Sequence, residues 1–470
     1  AEDGIRDVAV TGVQTCALPI YLAVELSARD GVVVCRALGR GVLDALALLF
    51  RALNSRAARG RQEDVYQESL TVLYRVLFLL FAEARGLVPM WHPVYRDRYS
   101  LDGIVTRLIT GRVYRGVWQA LTGISRLAHA GCVAGELKVN AFNGRLFSPA
   151  HSTVFDRTRI GDQVAGSAVL AVSTTTGRGG VRERISYRDL DVEQLGAVYE
   201  NVLEYQPHRD GRLDRTRDVR KSTGTFYTPR AVTACVVRQA LGPLVSGRSA
   251  DAILGLRVID IAMGSGAFLV GACRYLAAEA EDALIREGRW QRGDVTAADR
   301  AGLRREIAQR CLFGVDLNPM AVQLARLSLW LVTLAADKPL TFLDHHLVTG
   351  NSLVGASPDD VRRQPTRGRT TSRRQRELPL FEHSDIAPAL ERAVRTRMVL
   401  AATPDDSAAI VRHKEEALAT LQVRESPLGR LSALLDLWCA GWFWEEGPAP
   451  GSGTFAELSD RLLHDRSTLP

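Results

Sequence analysis

The strongest constraint on the fold of this chain is a strand–turn–helix unit that occurs twice in succession between residues 256 and 334. In the first unit, an apolar strand through Val258 and Ile259 ends at Asp260, and a glycine turn leads into a helix predicted over residues 267–281. Strands and helices that alternate in this way form a parallel sheet with helices on its faces. Because ligands of such sheets bind beyond the carboxyl ends of the strands, functional residues are expected there.

The glycine turn of the first unit reads Gly264-Ser265-Gly266. Glycine is needed where backbone approaches a ligand or takes a positive φ, and the helix that follows offers unpaired N–H groups at its start. The spacing is not the GxGxxG of dinucleotide sites, so a pyrophosphate ligand is not favoured. Taken alone, the tripeptide fits a simple packing turn equally well.

The second unit places an acidic residue at the end of a strand predicted over residues 311–317. Asp316 is followed by Asn318, a good helix N-cap, and by Pro319, a good first-turn residue, before a helix predicted over residues 320–334. A carboxylate at the end of the second strand is placed to accept hydrogen bonds from ribose hydroxyls. A purely capping carboxylate is the alternative interpretation of Asp316.

A third predicted strand ends shortly before Asn351, whose small polar side chain is expected in the same crevice, facing a purine ring. The two acidic residues are much further apart than the ~20 residues of a minimal unit, and a charged helical insertion over residues 285–308 accounts for the difference. Upstream, residues 221–229 read KSTGTFYTP, in which Thr228 is predicted to cap a helix.

The remainder of the chain reads as helices and one polar segment. Residues 21–215 are predicted to be mainly helical, and apolar residues recur at helical spacing over residues 64–83. Residues 357–385 are polar and rich in arginine and lack an apolar period, so they are expected to form a mobile loop or linker. Helices are predicted again over residues 385–424 and 426–444.

Composition argues against several classes of protein. The seven cysteines include no CxxC pair, so neither a disulfide framework nor a zinc site is predicted, and a cytoplasmic protein is expected. The longest apolar run, Leu70–Phe81, is shorter than the ~18 residues that cross a bilayer and contains Arg75, so no membrane partner is expected. The net charge of +7 suits a polyanionic partner.

Residues 1–20 resemble a translated sequencing adapter. The stretches AEDGIRD and VTGVQTCALPI, with suitable codons, both fit a common library adapter, and the second has neither helical period nor alternation. We expect these residues to be a remnant of cloning or assembly and leave them out of the fold. An unusual amino-terminal arm is the alternative.

Four motifs in one order make a family resemblance specific. The chain resembles the adenine-specific DNA methyltransferases of the gamma arrangement, and among them the large type IIG restriction–modification enzymes and the phage-defence methylases of the BREX and DISARM systems. Their helical amino-terminal region is also similar to segments such as LYRVLFLLFAEARGLVP. The motifs that carry the resemblance are TGTFYTP, DIAMGSGAFLV, GVDLNPMAVQLARLSLWL and GNSLVG.

The resemblance implies S-adenosylmethionine as cofactor and methyl donor. The residues matched to the methionine end of this donor are Thr225, Phe226, Tyr227, Asp260, Gly264 and Gly266. Asp316 is matched to the ribose and Asn351 to the adenine ring. Where the family has Asp-Pro-Ala-Cys-Gly-Ser-Gly, this chain has Ile261 and Met263 at the second and fourth positions, from which only a modest effect on cofactor binding is expected.

A second departure concerns catalysis. The family's catalytic motif is Asn or Asp, two prolines and an aromatic residue, which together accept hydrogen bonds from the target amino group and stack on the flipped base. No such tetrapeptide occurs in residues 356–470. The motif is therefore expected beyond Pro470, in a longer protein of which this chain is an amino-terminal fragment.

The predicted fold class is α/β, with a helical amino-terminal domain followed by a partial Rossmann-like methyltransferase domain with helical insertions. The expected divisions are residues 1–20 (remnant), 21–215 (helical domain), 216–356 (first half of the cofactor-binding core), 357–385 (linker) and 386–470 (helical insertion).

The predicted function is that of a fragment of a site-specific DNA methyltransferase of restriction–modification or phage defence, with double-stranded DNA as partner of the full-length protein. The fragment itself is expected to be inactive. A non-catalytic DNA-binding or assembly subunit of a restriction or defence complex, with other subunits as partners, is the alternative. An enzyme of related fold that methylates RNA or protein glutamine is a third interpretation, against which the long helical amino-terminal region argues by analogy.

Overall fold

The computed structural model of this 470-residue chain shows a mostly helical protein with several small sheets, consistent with the predicted α/β class. The residues that the structure describes are 38–55, 62–111, 115–141, 146–148, 159–176, 181–188, 190, 205–208, 210, 212–215, 228, 230–334, 338–340, 342–357, 360–362, 386–443 and 452–464.

The chain divides into two compact units. The first comprises residues 1–126 and 149–220, and the second comprises residues 127–148 and 221–470. The parallel sheet that positions the candidate site belongs to the second unit.

Within the described part of the chain, the helices that precede residue 221 include one π-helical turn, Tyr95–Tyr99. The α-helices are α1 (residues 38–54), α2 (Gln62–Ala84), α3 (Leu101–Ile109), α4 (Val117–Ala130) and α5 (Asp162–Ser173).

Helix α2 is the central helix of the first unit and confirms the helix predicted over residues 64–83. By length and composition it is apolar enough to cross a bilayer, so the expectation that no segment has that character is wrong. However, 83% of its most apolar stretch is buried inside the protein. A helix that is apolar on all sides and covered by its own protein is a core helix, which explains this composition without a membrane.

Short antiparallel hairpins interrupt the region that was predicted to be mainly helical. Each has three-residue strands, too short for an alternating pattern to stand out from the sequence. The pairs are β1 (Cys132–Ala134) with β2 (Leu137–Val139), β3 (Thr174–Thr176) with β4 (Arg182–Arg184), and β5 (Tyr205–Pro207) with β6 (Leu213–Arg215). The apolar pattern of residues 191–205 also predicts a helix, and residues 191–204 lie outside the described residues.

The second unit contains a parallel sheet of three strands in the order β7-β8-β9. The strands are β7 (Val258–Asp260), β8 (Leu312–Asp316) and β9 (Leu347–Thr349). Helices connect them, as parallel neighbours require, so the alternation read from the sequence is confirmed. The helices of this region are α6 (Arg230–Val245), α7 (Ala250–Leu254), α8 (Ala267–Arg286), α9 (Ala297–Cys311) and α10 (Pro319–Thr333).

A short 3-10 helix (Asp360–Arg362) and four α-helices follow in the described residues: α11 (Ile386–Ala402), α12 (Ala408–Gln422), α13 (Pro427–Phe443) and α14 (Ser452–His464). The single helix predicted over residues 385–424 is therefore wrong, because two helices occupy this range. Pro404 lies just after α11, where it cannot continue a helix. Ser407 then caps α12 by accepting a hydrogen bond from the Ile410 N–H at 3.3 Å.

A buried ion pair lies at the break between α11 and α12, and its carboxylate also bonds to residues of the part of the unit that contains the parallel sheet. Asp405 and Lys414 are both almost fully buried, with Nζ of Lys414 2.6 Å from the Asp405 carboxylate. The same carboxylate accepts hydrogen bonds from the Gln309 side chain at 2.5 Å and from the Phe342 N–H at 2.7 Å. Because Lys414 is buried, removal of the Asp405 carboxylate leaves its cation without a charged partner inside the protein.

We expect Asp405→Ala to lower the free energy of unfolding by about 3–5 kcal/mol, since it strands the buried Lys414 cation. Asp405→Ala combined with Lys414→Met is expected to lose less, because no unpaired charge remains. The neighbouring Asp406 pairs with Lys338 at the surface and is the matched control, for which Asp406→Ala is expected to cost about 1 kcal/mol or less. Urea unfolding of the full chain measures all three. An equal effect of the two aspartates would contradict the assignment.

Candidate cofactor-binding crevice

Two acidic side chains and an amide lie at the carboxyl ends of the strands β7, β8 and β9. Asp260 is the last residue of β7 and Asp316 the last of β8, and Asn351 follows β9 by two residues. The two aspartates are partly buried, whereas Asn351 is exposed. Because parallel strands end at the same edge, the structure brings the residues of three separate motifs together, as predicted.

Asp316 is the centre of the crevice. One carboxylate oxygen accepts the N–H of Gly264 at 2.9 Å, and the other accepts the N–H of Asn318 at 2.8 Å. Asn318 in turn caps α10 by accepting the Met320 N–H at 2.9 Å. The capping interpretation of Asp316 is therefore correct for one of its oxygens. Each oxygen keeps a second lone pair, so these contacts leave acceptors for a ligand hydroxyl.

Asp260 lies close enough to Asp316 for the two charges to interact. Burial raises the pKa of the Asp260 carboxyl above its usual range, and the neighbouring Asp316 raises it further, whereas a hydrogen bond from the Ala262 N–H at 3.1 Å lowers it. Two partly buried carboxylates side by side are costly without a cation. The crevice therefore favours a ligand that carries positive charge.

The two glycines of the turn serve different purposes. Both have positive φ, +54° at Gly264 and +83° at Gly266, which glycine adopts without strain. A methyl group at Gly264 would meet no atom within 4 Å, so this part of the backbone faces open space. At Gly266 a methyl group would lie 3.0 Å from the Cβ of Ala325 on α10. Gly264 thus leaves room for a ligand, whereas Gly266 lets the turn pack closely on a helix.

Asn351 begins a turn after β9. Its side-chain oxygen accepts the Leu353 N–H at 3.0 Å, and the preceding Gly350 N–H bonds to the backbone oxygen of Asp316 at 3.0 Å. These bonds tie the segment after β9 to the end of β8. Asn351 is therefore held at the edge where its predicted partner, a purine ring, would lie.

Exposed apolar side chains follow each of the three strands, and of these only Ile261 was expected from the sequence to affect cofactor binding. The exposed fractions are 53% for Ile261, 63% for Leu317 and 88% for Leu353. Ile261 and Leu317 directly follow the two aspartates, and Leu353 lies two residues after Asn351. For Leu317 the sequence did contain a signal, namely its position directly after Asp316, the acidic residue at the end of the second strand.

Three of the predicted site residues, Thr225, Phe226 and Tyr227, lie outside the described residues. Within the described part of the chain, no group of three or more His, Cys, Asp or Glu side chains is arranged to hold a metal ion. What the described crevice offers is two carboxylates, a ligand-facing glycine backbone and an apolar rim. The chemistry of this set fits a small cationic, hydroxyl-bearing molecule with an apolar face.

Comparison with known proteins finds similarity to DNA methylases in this part of the chain. Residues 190–352 match the sequence model of the family described as N-6 DNA Methylase. The match contains Asp260, Asp316 and Asn351, and thus the crevice. It confirms the predicted resemblance to adenine methyltransferases at this general level, whereas the gamma arrangement stays a prediction.

Two curated proteins show the same similarity. The type II restriction enzyme and methyltransferase RM.Eco57I of Escherichia coli is 28% identical over 185 residues, which cover 36% of this chain and 18% of that protein. The adenine-specific methyltransferase PglX of Streptomyces coelicolor is 30% identical over 166 residues, which cover 32% of this chain and 12% of that protein. The chain thus matches less than a fifth of the length of either relative.

Among solved structures, the chain is similar to the type IIL restriction–modification enzyme MmeI, whose structure is in complex with DNA. The superposition has a TM-score of 0.41 and 14% sequence identity and covers 66% of this chain and 40% of that one. A TM-score at this level does not establish a shared arrangement of the whole chain.

We expect Gly264→Ala and Gly266→Ala to differ in stability although both residues have positive φ. Gly264→Ala adds only the strain of a left-handed alanine, roughly 1 kcal/mol. Gly266→Ala adds a contact that is too close to Ala325 and is expected to cost about 2–4 kcal/mol in total. Unfolding midpoints in urea measure both. Equal losses would contradict the division of roles between the two glycines.

Proposed function

We propose that the segment 216–356 binds S-adenosylmethionine and forms the cofactor-binding half of a DNA adenine methyltransferase of the gamma arrangement. The observation that carries the proposal is the hydrogen-bonded crevice of Asp260, Gly264 and Asp316, which lies inside the segment similar to N-6 DNA methylases. The chemistry of the crevice fits this cofactor, which carries a sulfonium and an ammonium group, ribose hydroxyls and an adenine ring.

Each residue has a proposed part in binding. Asp316 accepts hydrogen bonds from the ribose hydroxyls with the lone pairs that Gly264 and Asn318 leave free. Leu317, next to it, presents an exposed apolar face to the adenine ring, and Asn351 contacts the ring edge.

The methionine end of the cofactor lies beside Asp260 and the open backbone at Gly264, where the carboxylate meets the cationic groups. Thr225, Phe226 and Tyr227 are proposed to close this end of the site. When bound, the cofactor supplies an electrophilic methyl group for the exocyclic amine of adenine. The residues of this chain hold and orient the cofactor, and they exclude water from it with the apolar rim.

Catalysis itself needs groups that this sequence does not contain, since it lacks the Asn/Asp-Pro-Pro-aromatic tetrapeptide. We propose that a further segment of the full-length protein supplies it beside β7. Among the described strands, β7 pairs only with β8, and its Ile259 is 63% exposed. A parallel strand added there would end next to Asp260, and its last residues would reach the cofactor.

The partner of the full-length enzyme is proposed to be double-stranded DNA in a restriction–modification or phage-defence system. One relative is named a type II restriction enzyme and methyltransferase, the other an adenine-specific methyltransferase, and the chain has a net charge of +7. The absence of the catalytic tetrapeptide from this sequence favours a second candidate, a DNA-binding or assembly subunit without methyltransferase activity. Methyl transfer by the longest native reading frame separates the two.

We expect the chain as given to bind S-adenosylmethionine more weakly than about 0.1 mM and to transfer no methyl group to DNA. Equilibrium dialysis with cofactor labelled in its methyl group measures binding, and label retained on DNA measures transfer. Asp316→Ala is expected to abolish the residual binding, and Asp251→Ala, an exposed acid of the same unit, is the matched control. Methyl transfer by this chain, or unchanged binding by Asp316→Ala, would refute the proposal.

Binding of the cofactor is expected to weaken as the pH falls, because protonation of Asp260 removes a charge that attracts a cation. Since the pKa of Asp260 is raised, the loss begins at a higher pH than for an ordinary aspartate. Asp260→Asn is expected to bind weakly at every pH and to lose this dependence. A wild-type affinity that is constant down to pH 4, where even an ordinary aspartate is about half protonated, would contradict the role of Asp260.

A further inference from the structure

Met263 stands inside the glycine turn, at the position where the resemblance leads one to expect cysteine. Its side chain is almost fully buried, although its neighbours Ile261 and Ala262 are exposed. Its backbone N–H donates to Val315 O of β8 at 3.1 Å, and its carbonyl accepts the Gly266 N–H at 2.8 Å. Met263 is therefore the residue through which the turn is attached to the sheet.

Gly314 in the middle of β8 provides the space for this side chain. A methyl group at Gly314 would overlap the Sδ of Met263 and would lie 2.9 Å from Cδ1 of Leu269 and 3.1 Å from Cδ2 of Leu347. Gly314 lies in an extended strand, so glycine is needed here for space and not for a left-handed conformation. The thioether of Met263 occupies the space that a side chain at position 314 would otherwise take.

The contact between Met263 and Gly314 sets the distance between the turn and the sheet. With Met263 seated over Gly314, the next N–H, that of Gly264, reaches the Asp316 carboxylate at 2.9 Å. A turn that stood higher would lose this bond and the bond to Val315, and of its two backbone donors the Asp316 carboxylate would keep only the Asn318 N–H. The orientation of Asp316 toward the crevice thus depends on a steric fit two residues before it in the strand.

We propose that Met263 and Gly314 form a steric lock that positions the turn and, through it, Asp316 and Gly264 for the cofactor. Neither residue touches the ligand; both are positioning residues. The inference rests on the proposed function for its consequence in binding, but the lock itself is a property of the chain without ligand.

The test uses the full chain without cofactor and follows hydrogen–deuterium exchange of the amides in residues 262–266. Gly314→Ala is expected to speed this exchange by about tenfold or more, because the new methyl group lifts Met263. Met263→Ala in the same chain makes room for that methyl, and the double variant is expected to return to within about threefold of wild type. Affinity for methyl-labelled S-adenosylmethionine, measured by dialysis, is expected to fall and recover in the same order.

Gly271→Ala is the matched control. A methyl group there would lie 3.0 Å from Cγ2 of Thr233, so it crowds helix α8 on α6 without touching the turn. It is expected to leave exchange of residues 262–266 unchanged, and Met263→Ala should not offset its effect on stability. This separates a local lock from general destabilisation of the unit.

Two results would overturn the lock: exchange in Gly314→Ala within about threefold of wild type, or a double variant that exchanges as fast as Gly314→Ala alone. Faster exchange with an unchanged cofactor affinity would overturn its positioning role. If the wild-type chain and an extended chain with the catalytic motif both fail to bind cofactor, the proposed function fails, whereas the exchange result still decides the lock.

Discussion

The geometry of the crevice depends on one carboxylate that is bonded on both sides. Asp316 receives the Gly264 N–H from the turn after β7 and the Asn318 N–H at the start of α10, so one side chain joins two of the strand–helix units. Hydrogen bonds from N–H groups to a carboxylate are short and strong compared with those between neutral groups. Because the bonds fix both oxygens, the remaining lone pairs point in defined directions before any ligand arrives, which is the condition for tight and oriented binding.

The sequence predicted the parts of this site that are encoded by neighbouring residues. The cap at Asn318, the acid at each strand end and the glycines of the turn depend on local hydrogen bonding and on φ, and the structure places them as expected. The fit of Met263 over Gly314 joins residues of two different motifs, and no period or spacing in the sequence signals it. The break between α11 and α12 was missed although Pro404 marks it, because the apolar period continues on both sides.

The helices after β9 are attached to the sheet-bearing part of the unit by buried charge as well as by apolar packing. Asp405 bonds to Lys414 of α12, to Gln309 of α9 and to the N–H of Phe342, which begins the described segment leading into β9. Such a cluster gains little stability over an apolar core, yet it tolerates only one arrangement of its partners. The helices thereby brace the segment before β9, whose continuation carries Asn351. The hydrogen bond from the Phe342 N–H thus links the break between α11 and α12 to the chain that leads through β9 to Asn351.

Among the described strands, β7 pairs on one side only, which agrees with the chemistry that the crevice lacks. An exposed strand edge with apolar side chains is a surface that proteins normally cover, and here Ile259 on the strand and Val232 and Val236 on α6 remain exposed in one unit. A parallel strand that covered this edge would deliver its carboxyl-terminal residues to the same end of the sheet as Asp260 and Asp316. Under the proposed function, the same added strand would both complete the sheet and supply the catalytic side chains. A chain that binds cofactor only weakly would gain affinity and activity together when that strand is added.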